Sequence, residues 1–514
     1  MMKRWLYTTL IILSLGVMLF TPDWLGEPAW AAKKDKLVVT GDIETLDPHI
    51  KYDVPAAIFN LNMYDNLLRY KGNPPKIVPW LAERYEASAD GMTWTFYLRK
   101  GVKFHDGSEL TADDVVYSID RLMTLGKGPA SAFRPILAKT GAAKAVDKYT
   151  VKIQLTKPFG PFNAVIPLIS IVNPRVLKAH EENGDWGAKW LSSNEAGSGA
   201  YKLVTFRPRN LIRMVKFDDF WRGWEGKHVS EVEVRAILEP AQQVLALQKG
   251  DIHTTHTYLP PDQLKRLERD PNIKLIPQES MRLFVIRMHN QRPPLNDVHV
   301  RRAISYAFNY DAFIKNIMLN QVVRNPAPIP RNLWGFPEGL KGYEYNLEKA
   351  KEELAKAKVK IDRPIDIYIQ TALDITNQAA LLLQSDLRKL GIELRIVKST
   401  WPNLVASTKS PETTPDMWIH WVSTYYADPD NWIGQMYDSN NWGTWKASAW
   451  YKNPKVDELL QKARSIVDQD ERAKLYAEAA RLVVDDAADL WIYNTVEVGA
   501  FRKNVMGWQF CPVG

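Results

Sequence analysis

Cysteine is nearly absent from this 514-residue sequence, whose one thiol is Cys511. A single cysteine excludes a disulfide within the chain, so packing alone must stabilise the fold. No stretch has the composition of a disordered segment. No basic run has the spacing of a nucleic-acid site either, since lysine and arginine are scattered among acids despite a net charge of +8. We therefore expect a globular protein with no nucleic-acid partner.

Motifs of hydrolytic enzymes are also missing. The sequence has no His-Glu-x-x-His, and residues 195–199 (EAGSG) do not give Ser198 the Gly-x-Ser-x-Gly context of a nucleophile. His253 and His256 are three residues apart in a predicted extended segment, where they would point to opposite faces, and no third metal ligand is close in sequence. We therefore predict no enzyme activity, no catalytic residue, no metal site and no cofactor. A secreted hydrolase using isolated carboxylates is the remote alternative.

The N-terminus has the three parts of a secretory signal peptide. Lys3 and Arg4 precede a mostly apolar run at residues 6–20, and residues 29–31 (AWA) place small residues where a signal peptidase cleaves. The run is short for a membrane span, although an uncleaved anchor is the alternative. No cysteine follows it, which excludes a lipid anchor. We predict a signal peptide over residues 1–31 and a soluble protein in the periplasm of a two-membrane bacterium.

Residues 79–121 form the most strongly patterned stretch of the chain. Residues 93–99 alternate apolar and polar side chains, as in a half-buried strand, between two turn-forming sequences. Thr111 followed by Asp114 is typical of a helix N-terminus. An apolar stripe then continues at Val115, Ile119 and Leu122. The pattern predicts a strand–turn–strand–turn–helix unit and indicates no chemistry.

The order of the sequence motifs in this stretch is more specific for a protein family. "LAE", "DGMTWTFYLRKGVKFHDG" and "TADDVVYSIDR" resemble the signature region of the extracytoplasmic solute-binding proteins of ABC importers, in the group that includes dipeptide- and oligopeptide-binding proteins. Residues 217–224 (FDDFWRGW) and 300–308 (VRRAISYAF) resemble other motifs of the same family. The resemblance implies a monomeric binding protein for a small solute, with a membrane permease and its ATPase subunits as partners. It also implies that His105 and Asp106 are scaffold residues.

The resemblance further implies an α/β, two-lobed periplasmic-binding-protein fold of type II with an inserted subdomain and a two-strand hinge. We expect lobe I over 32–282, with the inserted subdomain at about 79–175, and lobe II over 283–489. Residues 490–514 would return to lobe I, so that the chain crosses near Arg282 and near Leu490. Strand–helix–strand patterning over 365–396 predicts a largely parallel sheet in lobe II. A helix is predicted over Ile58–Leu68.

Residues 418–450 are the most informative about a ligand. A strand is predicted to end at Trp421, and ligands bind beyond the carboxyl ends of parallel strands, so the next loop should face the interlobe cleft. The resemblance implies a carboxylate about three residues after this tryptophan, where it pairs with the α-amino group of a peptide. Here Ser423 and Thr424 occupy that place. Either Asp428 takes the role through an altered loop length, or the ligand lacks that amine; otherwise Asp428 caps the next helix.

Aromatic residues are abundant, with 19 Trp and 21 Tyr, and each ring packs in the core or lines a cleft. Hydroxyls and indoles near the loop would suit a saccharide or an amide-rich ligand. The ligand is therefore a peptide or other small polar solute, with a saccharide, opine or other non-peptide, or a role as a solute receptor in signalling, as alternatives. The predicted ligand-binding residues are Tyr52, Asp53, Trp401, Trp418, Trp421, Ser423, Thr424, Tyr425, Tyr426, Asp428, Trp442 and Trp445.

Overall fold

The computed structural model describes residues 35–41, 44–51, 54–255, 259–371 and 373–513. The predicted signal peptide lies outside these residues, as do His256 and the site candidates Tyr52 and Asp53. The strands are β1 Lys36–Thr40, β2 Leu68–Lys71, β3 Lys76–Pro79, β4 Ala82–Ala87, β5 Thr93–Leu98, β6 Ala143–Asp147, β7 Thr150–Gln154, β8 Tyr201–Arg207, β9 Leu211–Lys216, β10 Glu231–Arg235, β11 Ile273–Met288, β12 Val322–Arg324, β13 Ile365–Gln370, β14 Leu394–Ser399, β15 Met417–Val422 and β16 Asp489–Arg502.

Helices flank these strands. The α-helices are α1 Val54–Met63, α2 Ala112–Leu125, α3 Ala130–Phe133, α4 Phe162–Val165, α5 Pro174–Ala179, α6 Ala188–Leu191, α7 Pro240–Lys249, α8 Pro261–Leu267, α9 Val298–Ala307, α10 Tyr310–Ala312, α11 Leu347–Lys356, α12 Asp374–Arg388, α13 Trp401–Ser407, α14 Ile433–Tyr437, α15 Pro454–Ser465 and α16 Gln469–Asp485. Short 3₁₀ turns at Ile166–Leu168, Pro429–Asn431 and Ser439–Asn441 and a π turn at Phe313–Ile317 join them. Mixed helices and strands give the predicted α/β class.

Among the described residues β2 and β3 pair as a two-stranded sheet, and three larger sheets divide the structure into two lobes and a subdomain. The first lobe contains a sheet of order β1-β10-β9-β8, and the second lobe a sheet of order β12-β16-β11-β15-β13-β14. Strands β4-β5-β7-β6 form an antiparallel sheet covered by α2, with a hydrophobic core of its own. This third unit is the inserted subdomain. The second lobe has a core on each face of its sheet, because alternate residues of β11 point to opposite sides.

The signature stretch folds as its pattern predicts. In β5 the side chains alternate between half-buried and buried. Thr111 caps α2, and its backbone N–H donates to Asp114 Oδ2 at 2.7 Å. Arg121, at the end of the signature, is fully buried and donates to both carboxylate oxygens of Asp47, at 2.6 and 3.0 Å. The signature helix is thereby tied to the segment that follows β1.

The predicted helix over Ile58–Leu68 is wrong at its C-terminal end. Helix α1 ends at Met63, and β2 begins at Leu68. The backbone carbonyl of Met63 accepts a hydrogen bond from the N–H of Gly199 at 2.9 Å. A segment distant in sequence thus packs against the end of α1, and the chain leaves the helix there.

The predicted largely parallel sheet is also wrong. Strand β13 is parallel to β14 and β15, whereas β11 is antiparallel to β15 and β16, and β12 is antiparallel to β16. The parallel part holds the strands joined by helical crossovers. Strands β11 and β16 enter from the first lobe and need no crossover, so they add an antiparallel half.

The hinge consists of β11 and β16, which pair from Ile273–Arg502 to Arg287–Asp489 with a register irregularity after Glu279. Leu490 packs in a core of the second lobe, and Ala500 in a core of the first. Strand β16 therefore passes from the second lobe to the first after residue 490, whereas the sequence analysis predicts the crossing near Leu490. The predicted two-lobed fold with a two-strand hinge is the fold of the chain.

The inserted subdomain contacts the second lobe directly. The N–H of Gly160 donates to the carbonyl oxygen of Arg464 at 2.6 Å. A Cβ atom at Gly160 would lie 1.7 Å from the carbonyl oxygen of Ile466, so only glycine allows this approach. The two sides of the molecule therefore meet in this structure.

Candidate functional site

The carboxyl ends of β13, β14 and β15 lie at one edge of the second-lobe sheet, because these strands are parallel. The loop after β15 reaches the other side of the molecule. The N–H of Ala427 is 3.1 Å from Tyr70 Oη, and Tyr426 packs in the core of the inserted subdomain. The strand-end loop, residues 423–428, therefore lies between the second lobe and the opposite side, as expected for a cleft.

A ring cluster forms on one face of β15. Trp418 and His420 are two residues apart on this face, with ring centroids 4.2 Å apart. Trp401, the first residue of α13, lies 6.0 Å from Trp418, and Trp445 lies 5.3 Å from Trp401. Trp418 is buried and its Nε1 donates to Ser448 Oγ, whereas Trp401 is 38% exposed. Only the outer part of this cluster is accessible to a ligand.

The other two predicted tryptophans lie elsewhere. Trp421 points to the opposite face of β15, where its ring is 4.7 Å from Phe284 and lies under Arg282. Trp442 packs on Trp450 at 5.4 Å, and its Nε1 donates to a backbone carbonyl. The predicted tryptophans are therefore divided among separate places and do not form one wall.

Ser423 and Thr424 are half-buried at the end of β15. The carbonyl of Ser423 accepts a hydrogen bond from Asn431 Nδ2 at 3.0 Å, which fixes the strand end. Within the described part of the chain, neither hydroxyl has a hydrogen-bonding partner. Each hydroxyl can both donate and accept a hydrogen bond at this strand end.

Asp428 is engaged by the fold. Its carboxylate is 1% exposed, and both oxygens accept from Nη2 of Arg472 at 2.7 Å. Its Oδ1 also accepts from the N–H of Asp430 and caps the following 3₁₀ turn. Tyr426 is likewise buried and donates to Asp430 Oδ2 at 2.8 Å. In this conformation Asp428 cannot pair with a ligand amine, so its predicted anchoring role is not supported by the geometry.

Lys446 is a cation beside the strand-end loop that the sequence analysis missed. Its Nζ is 3.1 Å from Asn431 Oδ1 and 4.7 Å from the centre of the Tyr425 ring. Burial lowers the pKa of Lys446 to about 8, nearby Asp430 opposes this shift, and Arg287 adds to it. Lys446 lies more than 20 residues after the end of β15. The one feature of the sequence that indicated its proximity to the loop is its position within residues 418–450.

The other polar motifs belong to the scaffold. His105 contacts Glu195 Oε1 at 2.8 Å and the carbonyl of Gly199 at 2.9 Å. Ser198 is buried and donates to Asp65 Oδ2 at 2.9 Å. Among the described residues no group of three or more His, Cys, Asp or Glu side chains could hold a metal ion. None of the helices in the described ranges has the length and apolarity that crossing a membrane requires.

Curated relatives match nearly the whole chain. A probable D,D-dipeptide-binding periplasmic protein of Escherichia coli is 31% identical over 491 residues, covering 94% of this chain and 93% of that protein. A dipeptide-binding protein of the same organism is 30% identical, covering 88% and 87%. Heme-binding protein A of Haemophilus influenzae is 28% identical, covering 88% and 85%. The chain is similar to all three along their length.

Solved structures share the fold. An ABC transporter-associated periplasmic binding protein from Helicobacter pylori, in complex with the peptide STSA, has a TM-score of 0.79 at 27% identity, covering 93% of this chain and 96% of that one. HbpA2 from Haemophilus parasuis has a TM-score of 0.81 at 25% identity, covering 93% and 98%. The family model "Bacterial extracellular solute-binding proteins, family 5 Middle" matches residues 76–444. With its two lobes, its hinge and its strand-end loop, the chain belongs to family 5 of the bacterial extracellular solute-binding proteins.

Proposed function

We propose that this protein is the periplasmic component of an ABC importer that captures a peptide between its lobes and delivers it to a membrane permease with its ATPase subunits. The observation that carries the proposal is the position of residues 423–428, at the carboxyl end of β15 and against the other side of the molecule. Relatives named for dipeptides and a relative bound to a peptide support the ligand class. The proposal includes export by the predicted signal peptide and action as a monomer.

A non-peptide solute is the second candidate. Ser423 and Thr424 offer neutral hydroxyls where an amine anchor is expected, and one relative is named for heme. Buried acids nearby are already paired, as Asp428 is with Arg472. A saccharide or opine would use the same hydroxyls. A solute receptor for signalling would share the cleft and differ only in its protein partner, so capture of a permease or of a sensor by the purified protein separates these roles.

Closure about the hinge is the first expected result. The pair β11–β16 permits the lobes to rotate, and the contact at Gly160 closes one side of the cleft. A saturating tripeptide mixture should lower the radius of gyration in solution X-ray scattering. Free alanine at the same concentration is the control. A radius unchanged at saturation would contradict capture by closure.

The strand-end hydroxyls give a second expected result. Replacing both Ser423 and Thr424 with alanine should weaken tripeptide binding by about 1–3 kcal/mol, because polar contacts to the ligand are lost or left unpaired. Titration calorimetry measures the change. The matched control replaces Thr156 and Ser193, two exposed hydroxyls outside the loop, and should leave affinity unchanged. Equal affinities for both double variants would remove Ser423 and Thr424 from the site.

A further inference from the structure

Lys446 is a half-buried cation without an acidic partner among the residues that the structure describes. Its Nζ contacts an amide oxygen, Asn431 Oδ1, and the face of the Tyr425 ring. Within the described ranges no carboxylate oxygen lies within 4.0 Å of this ammonium. Removing a charge from water without an opposite charge is unfavourable, so the arrangement implies a partner that the described residues do not supply.

Asp430, whose charge acts on the pKa of Lys446, already has hydrogen-bonding partners of its own. Asp430 Oδ1 accepts from Arg464 Nε at 2.6 Å, and its Oδ2 accepts from Tyr426 Oη at 2.8 Å. Asp430 is itself fully buried. Its charge opposes the lowering of the Lys446 pKa, but both of its oxygens already accept hydrogen bonds from other residues.

Lys446 is also held in place. Arg287 Nη2 donates to the backbone carbonyl of Lys446 at 2.7 Å, while Arg287 Nη1 donates to Asp489 Oδ2 at 2.7 Å. The amide of Asn431 joins the lysine to the carbonyl of Ser423. These hydrogen bonds connect the ammonium to the end of β15, and a charge that is held in place binds an oppositely charged group with less ordering cost.

We propose that Lys446 binds a carboxylate of the ligand. The inference rests on the proposed function and deepens it, because it specifies which end or side chain of a peptide the strand-end loop contacts. An anion for a ligand amine was expected at the end of β15, whereas the charged group connected to this strand end through Asn431 is a cation. The carboxylate comes from the C-terminus of the peptide or from an acidic side chain, which share the same chemistry.

The test uses one tripeptide mixture in three forms: unmodified, N-acetylated and C-terminally amidated. The native protein should bind the first two equally and the amide about 10- to 100-fold more weakly, which is the effect of losing a charge-assisted hydrogen bond. Lys446→Met should weaken binding of the first two forms by the same factor and leave the amide unaffected. Lys446→Arg should restore part of the affinity. Lys452→Met, at an exposed lysine nearby, is the matched control.

Thermal unfolding without ligand separates binding from folding. Lys446→Met removes an unpaired half-buried charge, so its melting temperature should equal or exceed that of the native protein. A lysine with a structural role would lower it. Amidation could weaken the binding only of those peptides that lack Asp and Glu. That result would mean that acidic side chains also supply the carboxylate. In that case Lys446→Met should still weaken binding of the acidic peptides.

Two results would overturn the inference while leaving peptide capture intact. One is binding abolished by N-acetylation and unaffected by amidation; the other is unchanged affinity in Lys446→Met. Failure of all three peptide forms would instead refute the peptide proposal. Succinate, a dicarboxylate, then tests the lysine alone. Binding that Lys446→Met abolishes supports the inference, and no binding refutes it.

Discussion

Replacing Asp428 with alanine is expected to lower the free energy of unfolding by about 3–5 kcal/mol, because Arg472 would be left as a buried cation without its partner. Both oxygens of this carboxylate contact Arg472, and the pair is almost inaccessible to solvent. Tripeptide affinity of the folded variant should be unchanged, since Asp428 is buried and its carboxylate is paired with Arg472. Urea unfolding and titration calorimetry measure the two quantities.

A double variant is the matched control for this prediction. Asp428→Asn combined with Arg472→Met removes both charges and should recover most of the lost stability. Glu86→Ala, which breaks an exposed pair with Arg84, should cost at most about 1 kcal/mol. Normal stability with a selective loss of affinity for peptides carrying a free amine would place Asp428 in the cleft after all.

Replacing Arg121 with methionine is expected to cost about 3–5 kcal/mol of unfolding free energy as well. The loss leaves the buried carboxylate of Asp47 without its two charge-assisted hydrogen bonds. It also removes the donors to His49 Nδ1 and to the carbonyl of Trp186. Urea unfolding of the full chain measures the change.

Asp47→Asn in the Arg121→Met background tests the mechanism. If the unpaired carboxylate causes the loss, the double variant should be more stable than Arg121→Met alone. If the double variant is less stable by the sum of the two single effects, the residues contribute independently and the pair explanation is wrong.

Local features of this fold were predictable from the sequence, because their causes lie within a few residues. The alternation of β5 and the Thr111–Asp114 capping box depend on neighbours in the chain. The resemblance in the signature stretch supplied the two-lobed fold and the family, and both are confirmed. The end of α1 was missed because Gly199, far along the chain, fixes it.

The candidate site was predictable only in outline. The strand-end loop was located correctly at the end of β15, but the partner of Asp428 is Arg472, 44 residues further along the chain. Lys446 reaches the loop because Arg287 holds its backbone there. The sequence did contain evidence that the predicted tryptophans do not form one wall. Trp418 and Trp421 are three residues apart in a strand and therefore point to opposite faces.

A single strand completes both lobes of the molecule. The first part of β16 pairs with β11 in the second-lobe sheet, and its last residues continue that pairing in the first lobe, where Phe501 bridges to Thr254 beside β1. This strand is synthesised after every other strand of either sheet. Residues of this strand also pack in the cores of both lobes, Leu490 in the second and Ala500 in the first. A chain that stopped before Asp489 is therefore expected to be destabilised in both lobes, because each core would lack residues that this strand supplies.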